Sequence, residues 1–206
     1  MTEGRPDQSG DVTGEGGGEQ EIARYKVPYS AVVLSPPKDL WEPIQAIRRE
    51  YDPQIDRWMP HVTLLYPFVQ EEYLRAAAEE LSDPCRRARP FELTLERFNH
   101  FHHETDVATL YLEPEPAEKV VELHGKLVEQ MPWCDDTARF ESGYVPHLSV
   151  GTCELDEVEQ VKRRLQAEWS PLTWEVDRVC LVARPAEVDE SFDIRFSLEF
   201  GVGIVE

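Results

Sequence analysis

Residues 60–64 read Pro60-His61-Val62-Thr63-Leu64, and residues 146–150 read Pro146-His147-Leu148-Ser149-Val150. The same phrase thus occurs twice, as proline, histidine, an apolar residue, a hydroxyl residue and another apolar residue. Successive side chains of a β-strand point to opposite faces. His61 and Thr63 therefore share one face and Val62 and Leu64 the other, and His147 and Ser149 repeat the pattern. A strand that is apolar behind and carries an imidazole and a hydroxyl in front is suited to be a wall of a reactive cleft. Two such strands predict a cleft with a proton-transfer residue on each side.

The bare triplet His-x-Ser/Thr has a high false-positive rate. A third match, His103-Glu104-Thr105, stands in polar, loop-like surroundings. What singles out the pair is shared context. Proline biases the residue before it, here Met59 or Val145, towards extended backbone, and it is tolerated at the first position of a strand. Each phrase carries its own strand-entry signal.

The coarse pattern around the two phrases alternates strands and helices. Extended runs fall at 27–34, 59–66, 91–96, 108–112, 146–152, 172–183 and 191–200. Helical periodicity falls at 39–51, 71–81, 117–131 and 155–169, the last marked by Leu155, Val158, Val161, Leu165 and Trp169. One motif per half, each in an approximate β-α-β recurrence, predicts an α+β fold with mixed or antiparallel sheets and helices outside.

With these residues in hand, the chain resembles the 2H phosphoesterase superfamily, two-histidine proteins related to bacterial 2′-5′ RNA ligases and cyclic nucleotide phosphodiesterases. The stretch Met59-Pro60-His61-Val62-Thr63-Leu64-Leu65-Tyr66-Pro67-Phe68 is similar to the first motif of one bacterial branch, and the resemblance covers roughly residues 25–200. It implies two pseudo-symmetric lobes, each a mainly antiparallel sheet with helices on the outside, around a central cleft. One departure stands out. The RNA-ligase-like branch often carries an arginine shortly after its second motif, where this chain has Gly151-Thr152-Cys153-Glu154.

The residues and the resemblance point to the same chemistry. A pair of imidazoles can supply both the base that activates an attacking oxygen and the acid that protonates a leaving one, with no metal or cofactor. Thr63 and Ser149 can donate to the non-bridging phosphate oxygens. The resemblance implies His61 as acid and His147 as base for cyclic-phosphate hydrolysis, exchanging roles in ligation. The expected activity is a metal-independent phosphodiesterase acting on 2′,3′-cyclic phosphates or 2′-5′ bonds of nucleotides or short RNA ends. The alternatives are an RNA 2′-5′ ligase and a non-catalytic nucleotide-binding module.

Tyr66 and Tyr144 flank the motifs and are candidates for stacking on a base. The run Asn99-His100-Phe101-His102-His103-Glu104 reads as solvated turn residues at the cleft rim and not as a metal site, since adjacent strand positions face opposite ways. Arg86-Arg87-Ala88-Arg89, a dense basic run, reads as a loop.

Composition bounds the rest. Residues 1–22 form an acidic, glycine-rich tail, with six of the eleven glycines, and cannot bury enough apolar surface to offset ordering. The remainder, residues 23–206, is long enough for one bilobed domain. The tail contributes only −5 of a net charge of −20, so the foldable part is itself acidic. That argues against extended nucleic-acid backbones as partners and leaves room for a small phosphate ester in a locally basic cleft. No apolar run or leader-like start predicts a membrane span or secretion. Cys85, Cys134, Cys153 and Cys180 are scattered, as expected for reduced thiols in a cytoplasmic monomer.

Overall fold

Val62–Leu65 is a strand whose buried residues, Val62, Leu64 and Leu65, flank a half-exposed Thr63. It is one edge of a five-stranded antiparallel sheet, and the second motif strand is one edge of a four-stranded antiparallel sheet. The computed structural model describes residues 25–102, 106–137, 142–186 and 190–205. The acidic tail, 1–22, and the third His-x-Thr match, 103–105, lie outside the described residues.

The strands are β1 (Lys26–Val27), β2 (Ser30–Leu34), β3 (Val62–Leu65), β4 (Phe68–Val69), β5 (Phe91–His102), β6 (Val107–Glu115), β7 (Leu148–Glu154), β8 (Leu172–Val176), β9 (Arg178–Ala183), β10 (Asp193–Glu199) and β11 (Gly203–Val205). The helices are α1 (Trp41–Tyr51), α2 (Leu74–Arg87), α3 (Ala117–Gln130) and α4 (Val158–Glu168). The larger sheet runs β11-β10-β9-β2-β3, the smaller β7-β6-β5-β8, and β1 pairs with β4 in a short ribbon. Edge strand β3 of one sheet touches edge strand β7 of the other. This is the expected α+β arrangement of two antiparallel lobes, with both motif strands at their junction.

Each element follows from its residues. β2 is buried at every position and paired on both sides, by β3 and β9, which suits its Ala-Val-Val-Leu run. Helix α1 lies between β2 and β3 in the chain yet packs on β7 of the other sheet. Gly151 makes that approach possible: at φ +142° it has no Cβ where the backbone of Tyr51 passes. Helix α2 covers β9, β10 and β11, and α4 lies on β5 and β6. The main core of Val32, Leu34, Ile44, Leu64, Leu81, Leu95, Leu110, Leu127 and Leu148 runs through both lobes.

The structure corrects four readings of the pattern. Residues 172–183 are two strands in different sheets, split at Asp177, because period-2 alternation does not say which sheet a strand joins. Strand β5 continues to His102 through a register shift between Leu95 and Arg97, which moves the buried phase from Leu93 and Leu95 to Phe98. Asn99 to His102 are therefore strand residues and not a turn. Helix α2 continues through Pro84 to Arg87, which puts Arg86 and Arg87 in its last turn, where the helix dipole favours cations, and not in a loop.

Candidate active site

The two motif histidines are held in the same way. His61 Nδ1 donates to the carbonyl of Met59 at 2.7 Å, and His147 Nδ1 donates to the carbonyl of Val145 at 2.8 Å. A carbonyl can only accept, so each ring carries its proton on Nδ1 and leaves Nε2 for chemistry. Each bond spans the proline, which fixes the extended turn into the strand. Ser35 Oγ adds a 2.9 Å bond to the carbonyl of Pro60.

Thr63 and Ser149 lie two residues further along, Thr63 opposite Val33 and Ser149 opposite Tyr111. A cavity of about 500 Å³ opens at the junction, lined by Thr63, Tyr66, Phe101, His102, Tyr144 and His147 among others. His61 and Ser149 are not in that lining, and the Trp58 indole is stacked on the His61 ring at 4.6 Å between centroids. The surroundings of the two imidazoles therefore differ. His61 has an aromatic face against it, whereas His147 meets Phe101 and Tyr111 at steep interplanar angles of 86° and 63°.

Electrostatics follow from this packing. Loss of hydration pushes His61 down to about 4, with the charges of Arg48 and His147 acting in the same direction and the Met59 bond and Asp52 opposing. His147 is also lowered, chiefly by loss of hydration, against the bond to Val145. Both rings are therefore held towards their neutral forms in the free protein, each chiefly by loss of hydration. Whichever ring serves as the acid, a bound phosphate anion would have to raise it for that role.

Tyr66 is 40% exposed and lines the cavity, with its ring edge-on to Trp58. Tyr144 also lines the cavity, but one face is stacked on His124 at 3.9 Å and its hydroxyl donates to the carbonyl of Thr63 at 2.7 Å. That bond ties the loop before β7 to β3, so Tyr144 clasps the lobes together at the site. Burial pushes its phenol far above the usual range, which keeps it a donor.

His100 and His102 do not converge. His100 Nδ1 lies 3.3 Å from Lys162 Nζ on α4, and His102 lines the cavity. Among the described residues no group of three or more His, Cys, Asp or Glu could hold a metal ion. Arg87 and Arg89 border a separate groove with Lys119 and Lys126 near Phe91. Phe91 and Phe101 are ten residues apart on β5, which puts that groove roughly 30 Å from the cavity at strand rise.

The sequence reading missed Trp58, Phe101, Tyr111 and Arg48. Trp58 stands only three positions before His61, a proximity that could have drawn notice. Arg48 had no local signal. It is buried to 2% exposure, bonds Asp52 at 2.7 Å and the carbonyl of Trp58 at 2.8 Å, and so holds the loop that leads into the first motif.

The chain is similar to known proteins in sequence and in fold. The family model of the 2′-5′ RNA ligase superfamily matches residues 36–187, a span that includes both motifs. A candidate phosphoesterase of Oceanobacillus iheyensis is 31% identical over 153 residues, covering 73% of this chain and 86% of that protein. One from Bacillus licheniformis is 30% identical over 124 residues, covering 58% of this chain and 68% of its own. A protein of Thermus thermophilus superposes with a TM-score of 0.56 at 16% identity, over 82% of this chain and 96% of that one. E. coli LigT complexed with 3′-AMP superposes with a TM-score of 0.56 at 17% identity, over 84% and 98%. At these identities the structural likeness is one of fold, and the family follows from the match over residues 36–187: the chain belongs to the 2′-5′ RNA ligase superfamily, the two-histidine phosphoesterases.

Proposed function

We propose that the protein is a phosphodiesterase that hydrolyses 2′,3′-cyclic phosphates, or 2′-5′ bonds, of nucleotides or short RNA ends by two-histidine acid–base catalysis. The observation that carries this reading is the pair of imidazoles with the same tautomer imposed by the same local bond, one on each lobe. In hydrolysis the neutral ring takes a proton from the attacking water while the protonated ring delivers one to the departing ribose oxygen. Thr63 and Ser149 donate to the phosphate oxygens, and Tyr66 offers a ring face to the base. A module that only bound nucleotides would need neither Nε2. E. coli LigT, which shares the fold, is known with phosphate and with 3′-AMP bound, which supports a nucleotide-sized ligand.

The test is to incubate the protein with nucleoside 2′,3′-cyclic phosphates and with 2′-5′-linked dinucleotides and identify the products. Release of a single nucleotide monophosphate isomer supports the reading. No turnover of either class sinks it. Because the histidines supply proton transfer, the rate is expected to survive exhaustive chelation, and loss restored by one divalent ion would replace this mechanism.

The pH dependence follows from the electrostatics. Both rings are depressed in the free protein, so the singly protonated pair is most abundant below pH 6.5. The kcat/KM profile is expected to be a bell centred below the ordinary histidine range, falling about tenfold per unit on its alkaline side. The kcat profile should lie higher, because the substrate's phosphate anion stabilises an imidazolium. Steady-state rates between pH 4 and 9 check both curves, and a kcat/KM optimum above pH 7.5 contradicts the assignment.

Substrate size follows from charge. With a net charge of −20 and no basic residue in Gly151 to Glu154, the grip is expected at one or two phosphates. Each phosphate contact adds nearly one unit to the slope of log affinity against log salt, so a slope of about one or two is expected. A slope above about five would point to extended RNA and to ligation or repair.

A further inference from the structure

Trp58 is built into the first half of the site from several sides. Its indole stacks on His61 at 4.6 Å and 24°, and on Phe192 at 3.5 Å and 16°. Phe192 comes from the segment between β9 and β10, and its amide donates to the carbonyl of Arg57 at 2.8 Å. The carbonyl of Trp58 is held by the buried Arg48. Trp58 and Met59 also pack on a second small core of Ala31, Val33, Cys180, Val182 and Phe192. The other catalytic candidate, His147, has no parallel-stacked ring among the described residues.

We propose that Trp58 is a positioning residue for His61: the indole, clamped between Phe192 and the imidazole, sets the plane of the ring and excludes water from that face. The inference rests on His61 acting as proposed above. The Nδ1 bond to Met59 fixes one point of the imidazole but leaves rotation about it, and the stacked face removes that rotation. Nε2 is thereby aimed before substrate arrives. Closing that face to water also keeps the neutral form favoured in the free protein. The charged groups acting on His61 are Arg48 and Asp52 of α1 and its C-terminal cap and His147 of the other lobe, and the variants below leave all three in place.

The experiment compares wild type with Trp58→Phe, Trp58→Leu and Phe192→Leu. The His61 ring is titrated by NMR in histidine-labelled protein, alongside kcat and KM for a nucleoside 2′,3′-cyclic phosphate. Leucine is smaller than the indole and cannot close the flat imidazole face, so W58L is expected to readmit water there and raise the His61 pKa by about one unit or more. It should also lower kcat by about 10–100-fold, the cost of a misaimed catalytic group, with KM within about threefold. W58F should restore most of both quantities, and F192L should fall between. An unmoved His61 midpoint in W58L, or a W58F variant as impaired as W58L, overturns the proposal. If W58L does not fold, F192L decides: a His61 midpoint and kcat unchanged from wild type overturn it. A midpoint that moves as expected in a protein inactive on every cyclic or 2′-5′ substrate supports the positioning role while removing the functional reading.

Discussion

Alanine at His61 or at His147 is expected to lower turnover of a cyclic phosphate by about 10²–10⁴-fold, the range found when one general acid or base is removed. Both single variants fall within that range because each ring has its own proton to move, and the double variant falls well short of the product of the two, since the rings act as one unit. Thr63→Ala and Ser149→Ala cost less, because each removes a single hydrogen bond to a phosphate oxygen. Folding should survive all four changes: the imidazoles are only partly buried, and each makes one bond to its own strand-entry turn. The measurement is kcat on the best substrate found in the product assay. Near-normal rates from both histidine variants would dismiss acid–base catalysis by this pair.

Gly151→Ala produces the largest loss of stability. A Cβ at Gly151 would stand 2.3 Å from the carbonyl carbon of Tyr51 and 2.4 Å from its Cβ and carbonyl oxygen, distances at which something must move. The obstacle is mostly backbone of the last residue of α1, so no side-chain rotation relieves it, and φ +142° is strained for any L residue. Overpacking of this kind costs about 3 kcal/mol or more. That lowers the melting temperature by about 6–12 °C in a chain of this length. Activity should fall too, because the displaced helix end carries Arg48 and its partner Asp52 follows it, while β7 carries Ser149. Gly125→Ala is the control of opposite sign. It lies in α3 with nothing within 4 Å of an added Cβ, so the better helix former should raise stability by about 0.5–1 kcal/mol. Paired thermal melts read both changes, and equal melting temperatures for G151A and wild type would refute the packing argument.

Much of this architecture was legible in local pattern. Leu40, Ile44 and Ile47 announce α1, and Val120, Leu123 and Leu127 announce α3, because a buried helical face must recur with the helical repeat. The motif strands were legible for the same reason at period two. Where the chain departs from ideal periodicity the pattern failed. The shift after Leu95 concealed the second half of β5, and the passage between sheets at Asp177 left no mark on the alternation of β8 and β9. The residue-level expectation for Tyr144 placed it beside the second motif, but nothing local showed that it would stack on His124, twenty residues earlier, and bond to Thr63.

The duplicated Pro-His-x-Ser/Thr phrase identifies the two imidazoles, the strands they lead into and the family, because those properties depend on residue type and on spacing of a few positions. The relation between the halves needed the folded chain. Edge-to-edge contact of β3 and β7, the Trp58 face on His61, the ring edges on His147 and the Gly151–Tyr51 approach all join residues distant in sequence or in different elements. Their geometry follows from how the sheets and helices fill space together, and so does the loss of hydration that depresses both histidines.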